Sequence, residues 1–292
     1  MGDLQYPPLG GEPDTTNSPF AVVIPIPYER TTTYRKGTAK GPAALLAAST
    51  QVELYDEEMR LAPLARGVAT LEPVVCEDMP DVLAGQLEAL CLPHYHEGRL
   101  VVGLGGEHSV SLGPIRAAAD VHGPIGILQI DAHPDLRNEY EGTHYGHGCV
   151  MRRVLDLTTV TALVGVGLRA VSEDDHAVIT ADDRVKPFYA YELAARPRKE
   201  WIRAVIEELP DTVYISFDLD GFDPSVVPGT GTPEPGGLGW WDALALLRGV
   251  FAERKVVGFD VVELLPEPPS CVSDFAAARL VFKMLAYSEA AR

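Results

Sequence analysis

The stretch Gln129-Ile130-Asp131-Ala132-His133-Pro134-Asp135 sets Asp131, His133 and Asp135 at alternate positions. It follows residues 124–128, an apolar run that reads as a buried strand. In extended backbone alternate side chains leave on the same face, so two carboxylates and an imidazole converge just past a strand end. Buried together without a counter-charge such a trio is very costly, and pairing or a shared metal ion is the usual resolution. Taken alone, the stretch fits a polar turn as well as a metal site. The elements around it decide.

Those elements alternate. Short apolar runs at residues 20–26, 67–71, 99–104, 124–128, 160–166, 185–191, 212–217 and 255–262 read as strands. Helical patterns fall between them, at 41–59, 81–92, 111–121, 149–155, 172–183, 197–208, 240–251 and 275–286. Eight strands alternating with helices predict an α/β fold with a largely parallel sheet and helices on both faces. Residues 1–18, rich in Pro, Gly, Asp and Thr, are expected to cross the surface as an irregular arm. No repeat or linker divides the chain, so one domain over 1–292 is expected.

Open parallel sheets bind ligands at the carboxyl ends of their strands. His108 follows the third strand, Asp131, His133 and Asp135 follow the fourth, Asp218 and Asp220 end the seventh, and Glu263 ends the eighth. Four Asp and two His are too many ligands for one ion of ordinary coordination but suit two ions that share carboxylates. An oxygen-rich set with one imidazole per ion favours Mn²⁺, where a structural zinc site would show more Cys or His.

Composition sets the bounds. The 292 residues are 46% hydrophobic and 23% charged, ordinary for a globular protein. A net charge of −18 disfavours sequence-independent nucleic-acid binding and suits a cationic ligand. Cys76, Cys91, Cys149 and Cys271 form no C-x-x-C pair and read as free thiols in a reducing compartment. With no signal-peptide pattern and no apolar run long enough to span a bilayer, a cytoplasmic location without membrane partners is expected.

Three blocks now carry a resemblance: GGEHS at Gly105 to Ser109, DAHPDLR at Asp131 to Arg137, and SFDLDGFDP at Ser216 to Pro224. They resemble the signature blocks of the arginase/agmatinase (ureohydrolase) family, and GTGTPEPGG at Gly229 to Gly237 is similar to the agmatinase branch. The likeness runs from the strand end near Tyr28 to Glu263. It implies a three-layer α/β/α fold around a mostly parallel eight-stranded sheet, two Mn²⁺ per chain, a small cationic guanidino substrate and a homo-oligomer, trimer or hexamer. By motif, His108, Asp131, Asp135 and Asp218 would hold one ion. His133, Asp131, Asp218 and Asp220 would hold the other, with Asp131 and Asp218 bridging. Glu107 stands where many members have Asp.

The chemistry implied is hydrolysis of a guanidinium to urea and an amine. Paired ions activate water near neutral pH, and Asp135 can accept its hydrogen bond. His147 matches the family's proton-shuttling histidine, with His144 the alternative, and Glu263 matches the carboxylate that grips the guanidinium. Arg137 stands where arginases place an Asn, so agmatine, giving putrescine, is the expected substrate. Aminopropylagmatine, guanidinobutyrate and arginine are the alternatives, and a single-zinc deacetylase-type amide hydrolase is the competing class. Glu139 and Glu141 are expected to receive the substrate's distal ammonium. His94, His96, His122 and His176 read as surface residues, and Glu173 to Asp175 as a solvated acidic face. Gly103-Leu104-Gly105-Gly106 lacks the spacing of a dinucleotide loop.

Overall fold

Val, Ile and Leu dominate the short runs on both of their alternating faces, the pattern of strands covered above and below. A computed structural model describes residues 4–16, 18–76 and 79–292. Its strands are β1 (Ala21–Ile26), β2 (Val68–Thr70), β3 (Leu100–Gly105), β4 (Ile125–Ile130), β5 (Val160–Leu168), β6 (Val185–Tyr189), β7 (Thr212–Asp218) and β8 (Lys255–Val262). They form one eight-stranded sheet in the order β2-β1-β3-β8-β7-β4-β5-β6. Every pairing in it is parallel.

The helices are α1 (Gly41–Ser49), α2 (Pro80–His96), α3 (Leu112–His122), α4 (Val150–Leu155), α5 (Glu173–Ala181), α6 (Ala190–Ala194), α7 (Arg198–Glu208), α8 (Trp240–Glu253) and α9 (Val272–Ala290). Alternation along β1 shows how they are layered. Val22, Ile24 and Ile26 share a core with Leu87 of α2, Ile115 of α3 and Met151 of α4. Ala21 and Val23 share the opposite core with Leu45 of α1, Val205 of α7, Leu247 of α8 and Val281 of α9. This is the expected α/β/α sandwich.

Register brings the site together. Ile130 is level with Phe217, Phe217 with Val261, and Val261 with Leu104. The residues just past β3, β4, β7 and β8, the four middle strands, therefore emerge side by side. Gly106 makes this possible after β3. A Cβ there would sit 2.0 Å from the Tyr28 carbonyl oxygen, so only glycine lets the chain pass this close to the loop after β1.

Several boundaries differ from expectation. The first helix stops at Ser49 instead of running to 59. Downstream, Asp56 Oδ1 accepts the amides of Glu58 and Met59 at 3.1 and 2.8 Å, a local bond that competes with helix. The sixth strand ends at Tyr189, and Ala190–Ala194 turns into a short helix. Within the arm, 4–16 carries neither helix nor strand. Leu9 is nonetheless buried, its amide bonded to Thr70 Oγ1 at 2.9 Å. Residues 1–3 and 17 of the arm lie outside the described residues. No described helix is long and apolar enough to cross a membrane, and all four cysteines are free.

Candidate metal centre and active-site cavity

The D-x-H-x-D stretch folds as its spacing requires. Asp131 is fully buried, and Gln129 Nε2 donates to its Oδ2 at 2.8 Å. Its Oδ1 accepts the His133 amide at 2.6 Å. From β7, Asp218 Oδ1 accepts the Asp220 amide at 2.8 Å, and Asp220 Oδ1 accepts the Ala132 amide at 2.9 Å. The fourth and seventh strand ends are thus laced together by carboxylates that keep further lone pairs free.

Two groups of donor atoms result, His108–Asp131–Asp218 and Asp131–His133–Asp220, each with all its atoms within 4.8 Å of one another. Asp131 belongs to both. His133 Nδ1 lies 2.9 Å from Asp220 Oδ2 and 3.6 Å from Asp131 Oδ1. His108 Nδ1 faces Asp135, Asp131 and Asp218 oxygens at 3.0, 3.2 and 3.4 Å. Asp135 lies beside the first group through this His108 contact. It sits there with φ of 54°, a backbone strain rare outside glycine and often found at functional sites.

Hydrogen bonding on the far side of His108 fixes what its ring presents. Tyr214 Oη and Ser216 Oγ both donate to the buried Asp260, each at 2.8 Å. With its proton committed there, Ser216 Oγ accepts from His108 Nε2–H at 2.9 Å. Nδ1 is then the ring's free donor atom, and although fully buried it has no hydrogen-bond partner among the described residues. A lone pair aimed at three carboxylate oxygens is repulsive unless a cation lies between them. The residues therefore fit a bound metal ion, with the supporting bonds that metal-ligating histidines generally have.

Charge says the same. Burial and then the neighbouring Asp131 push the Asp135 carboxyl up to about 7. Burial, Asp220 and Asp131 hold Asp218 well above the ordinary carboxylate range. Burial alone would lower the His133 imidazole, but Asp220 and Asp131 reverse this and hold it at about 12. The shifts mark a buried site crowded with carboxylates, whose excess negative charge divalent ions would offset.

A cavity of about 170 Å³ opens over the clusters. Its lining includes His108, His133, Asp135, Asp218, Asp220, His147 and Glu263. Glu263 has φ of 63° and spends Oε1 on the His108 amide at 2.7 Å. Burial, and then Glu107, keep its pKa well above the usual range. Of the two candidate shuttles, His147 lines the cavity, whereas His144 bonds the Asn138 carbonyl at 2.7 Å from an exposed loop. Burial lowers the His147 pKa.

Glu139 and Glu141 are not brought into the cavity. Glu139 lies 3.7 Å from His144 on the surface, and Glu141 is exposed in the turn that pairs Tyr140 with Thr143. Asp175 departs from expectation in the other direction. It is buried, closes a capping box with Ser172, accepts the Leu136 amide at 3.0 Å, and lines the cavity. The Ser-x-x-Asp spacing at Ser172 was the signal for that cap. Thr31, Thr32 and Thr33, which no motif marks, also come to the site: Thr32 and Thr33 line the cavity and Thr31 bonds His147.

Activation of water by paired ions at the carboxyl edge of a parallel sheet is the work of a binuclear metallohydrolase, and that is the class the fold and clusters define. Comparison with known proteins narrows it. The sequence model of the Arginase family matches residues 20–286. An N(1)-aminopropylagmatine ureohydrolase of Synechocystis sp. is 40% identical over 274 residues, covering 91% of this chain and 88% of that one. The solved agmatine ureohydrolase of Thermoplasma volcanium superposes with a TM-score of 0.84 at 30% identity, covering 94% of this chain and 91% of the other. Proclavaminate amidino hydrolase from Streptomyces clavuligerus gives 0.86 at 28%, covering 99% and 98%. The chain belongs to the arginase family, the ureohydrolases.

Proposed function

We propose that the chain is a manganese-dependent ureohydrolase of a linear guanidino amine, N1-aminopropylagmatine or agmatine, releasing urea and the corresponding amine. The observation that carries this reading is Glu263. Its carboxylate sits beside both clusters, buried and held above its ordinary pKa for want of a counter-charge. A guanidinium supplies that charge in a planar fork suited to a carboxylate. The two arginines of the lining are already engaged, Arg35 with Glu267 and Arg137 over the Tyr140 ring at 4.2 Å. A cationic tail therefore meets a cavity in which carboxylates outnumber free positive charge.

His108, Asp131, Asp135 and Asp218 would hold one ion and Asp131, His133, Asp218 and Asp220 the other. Bound there, the ions supply Lewis-acid activation of water. The protein's own residues do the rest. Glu263 holds the guanidinium carbon over the clusters, and Asp135 accepts a hydrogen bond from the attacking water. Oxygen adds to the guanidinium carbon, the bond from that carbon to the alkyl-bearing nitrogen breaks, and His147 delivers the proton that nitrogen needs to leave as an amine.

The choice of N1-aminopropylagmatine ahead of agmatine rests on the relative of that specificity at 40% identity. Urea release measured on N1-aminopropylagmatine, agmatine, arginine, guanidinobutyrate and guanidine tests it. The expected result is the highest kcat/KM on one of the two guanidino amines. Arginine hydrolysed as well as either would overturn the substrate reading and leave the metal chemistry standing.

A further inference from the structure

The loop after β1 and the residue before His108 make a contact that the metal clusters do not explain. Glu107 is fully buried and takes four donors. Oε2 accepts the amides of Arg30 and Thr31 at 2.6 and 2.7 Å. Oε1 accepts the hydroxyls of Thr31 and Ser109 at 2.7 and 2.6 Å. The extra methylene of glutamate over aspartate gives it the reach to cross from the end of β3 to this loop.

Thr31 is the other half. Its proton is spent on Glu107, so its oxygen can only accept. One bond comes from the His147 amide at 3.0 Å. The second neighbour is His147 Nδ1 at 3.2 Å. Two acceptors cannot bond one another, so Nδ1 must carry the ring proton. Gly146 allows the approach, since a Cβ there would stand 3.1 Å from Thr31 Oγ1. The edge of Tyr140, its ring 5.8 Å away, holds the imidazole from another side.

We propose that Glu107 and Thr31 form a relay that fixes His147 in its Nδ1–H tautomer and leaves Nε2 as the ring atom that exchanges protons with the substrate. This rests on the ureohydrolase reading above, in which His147 protonates the leaving amine. Both are positioning residues: neither lines the cavity, and they act through the shuttle. The arrangement is the reverse of His108, whose proton is held on Nε2 so that Nδ1 is free. Two histidines of one site thus have opposite tautomers set by separate hydroxyl–carboxylate pairs, Ser216–Asp260 and Thr31–Glu107.

The test uses Thr31→Val, which keeps the shape and removes the hydroxyl, and Thr31→Ser, which restores it. Thr31→Val should lower kcat by roughly 10–100-fold, the usual worth of a group that orients a functional histidine. KM and the number of bound ions should not change, and Thr31→Ser should recover most of the rate. Ring ¹⁵N spectra of histidine-labelled protein loaded with diamagnetic Zn²⁺ give a readout independent of turnover. His147, identified by its loss in His147→Gln, should show a protonated Nδ1 in the wild type and a tautomer mixture in Thr31→Val. A bare Nδ1 in the wild type, or a Thr31→Val enzyme with unchanged kcat and spectrum, would overturn the relay. Absence of urea release by the wild type from every guanidino amine would instead overturn the substrate reading, and the spectrum judges the relay either way.

Discussion

Replacing Asp260 with Asn tests how a residue outside the donor groups controls one metal site and not its neighbour. Asp260 accepts two hydroxyl protons, from Tyr214 and Ser216, each at 2.8 Å. Asparagine offers one acceptor and one donor. When its amide nitrogen faces Ser216, the serine proton turns toward His108 Nε2, and the ring must move its own proton to Nδ1, the atom the ion needs. Loss of such an outer bond typically weakens metal binding by about 10–100-fold, equivalent to about 1.4–2.7 kcal/mol. The loss should fall on the ion held by His108, because the His133 ring has no contact with this chain of bonds. Titration against a chromophoric chelator, fitted to two sites, should show one constant weakened and the other little changed. Tyr214→Phe, which leaves the Ser216 bond intact, should have the smaller effect. Equal weakening of both sites, or none of either, would refute the reasoning.

Other expectations follow from the same geometry. Asp131→Ala should lose both ions, since Asp131 belongs to both donor groups, whereas His133→Ala should lose one; metal analysis of the purified variants distinguishes them. Glu263→Gln should lower kcat/KM on the guanidino amine by about 2–5 kcal/mol in transition-state terms, the usual cost of breaking a buried charge pair, with metal content unchanged. Away from the site, Lys283 and Asp56 pair at 2.9 Å with both side chains buried. Lys283→Met should destabilise the fold by about 3–5 kcal/mol in denaturant titration, because Asp56 is left without its partner. The pH sign follows too: burial would lower the Lys283 pKa, but Asp56 and Glu57 outweigh it and raise it. The contribution should be complete below the unfolded pKa of about 10.4 and fade as pH rises through the higher folded value.

The residues of the two donor groups were legible because most sit in short spacings that mean the same thing at any strand end. Asp-x-His-x-Asp and Asp-x-Asp place their side chains on one face by period alone, and eight apolar runs locate that face at a sheet edge. Thr31 and Glu107 were not legible as partners, being 76 residues apart, with nothing in a run of three threonines to mark the one that is used. Glu139 and Glu141 fall outside the cavity lining, Glu141 in the exposed turn between Tyr140 and Thr143. Asp175 goes the other way: within an acidic run, the residue that caps its helix is drawn inward by the Leu136 amide. The non-helical segment after the first helix is likewise held by Asp56, whose partner Lys283 is far away in sequence.

The strand order has a bearing on how the protein acquires its metals during synthesis. His108 follows β3 and Asp131 follows β4, yet these strands are not neighbours; β8 and β7 lie between them. His108 and Asp131 therefore stand at their final separation only when the last two strands lie between β3 and β4. A nascent chain that has emerged as far as residue 200 carries His108, Asp131, His133 and Asp135 but no sheet to hold them at that separation, and neither Asp218 nor Asp220. On the two-ion reading proposed above, metal capture then waits for β7 and β8, the strands that bring Asp218 and Asp220 and separate β3 from β4. Long-range closure of this kind is slow, since the loop entropy is lost before the contacts form. A ribosome-stalled fragment ending before β7 should hold neither ion.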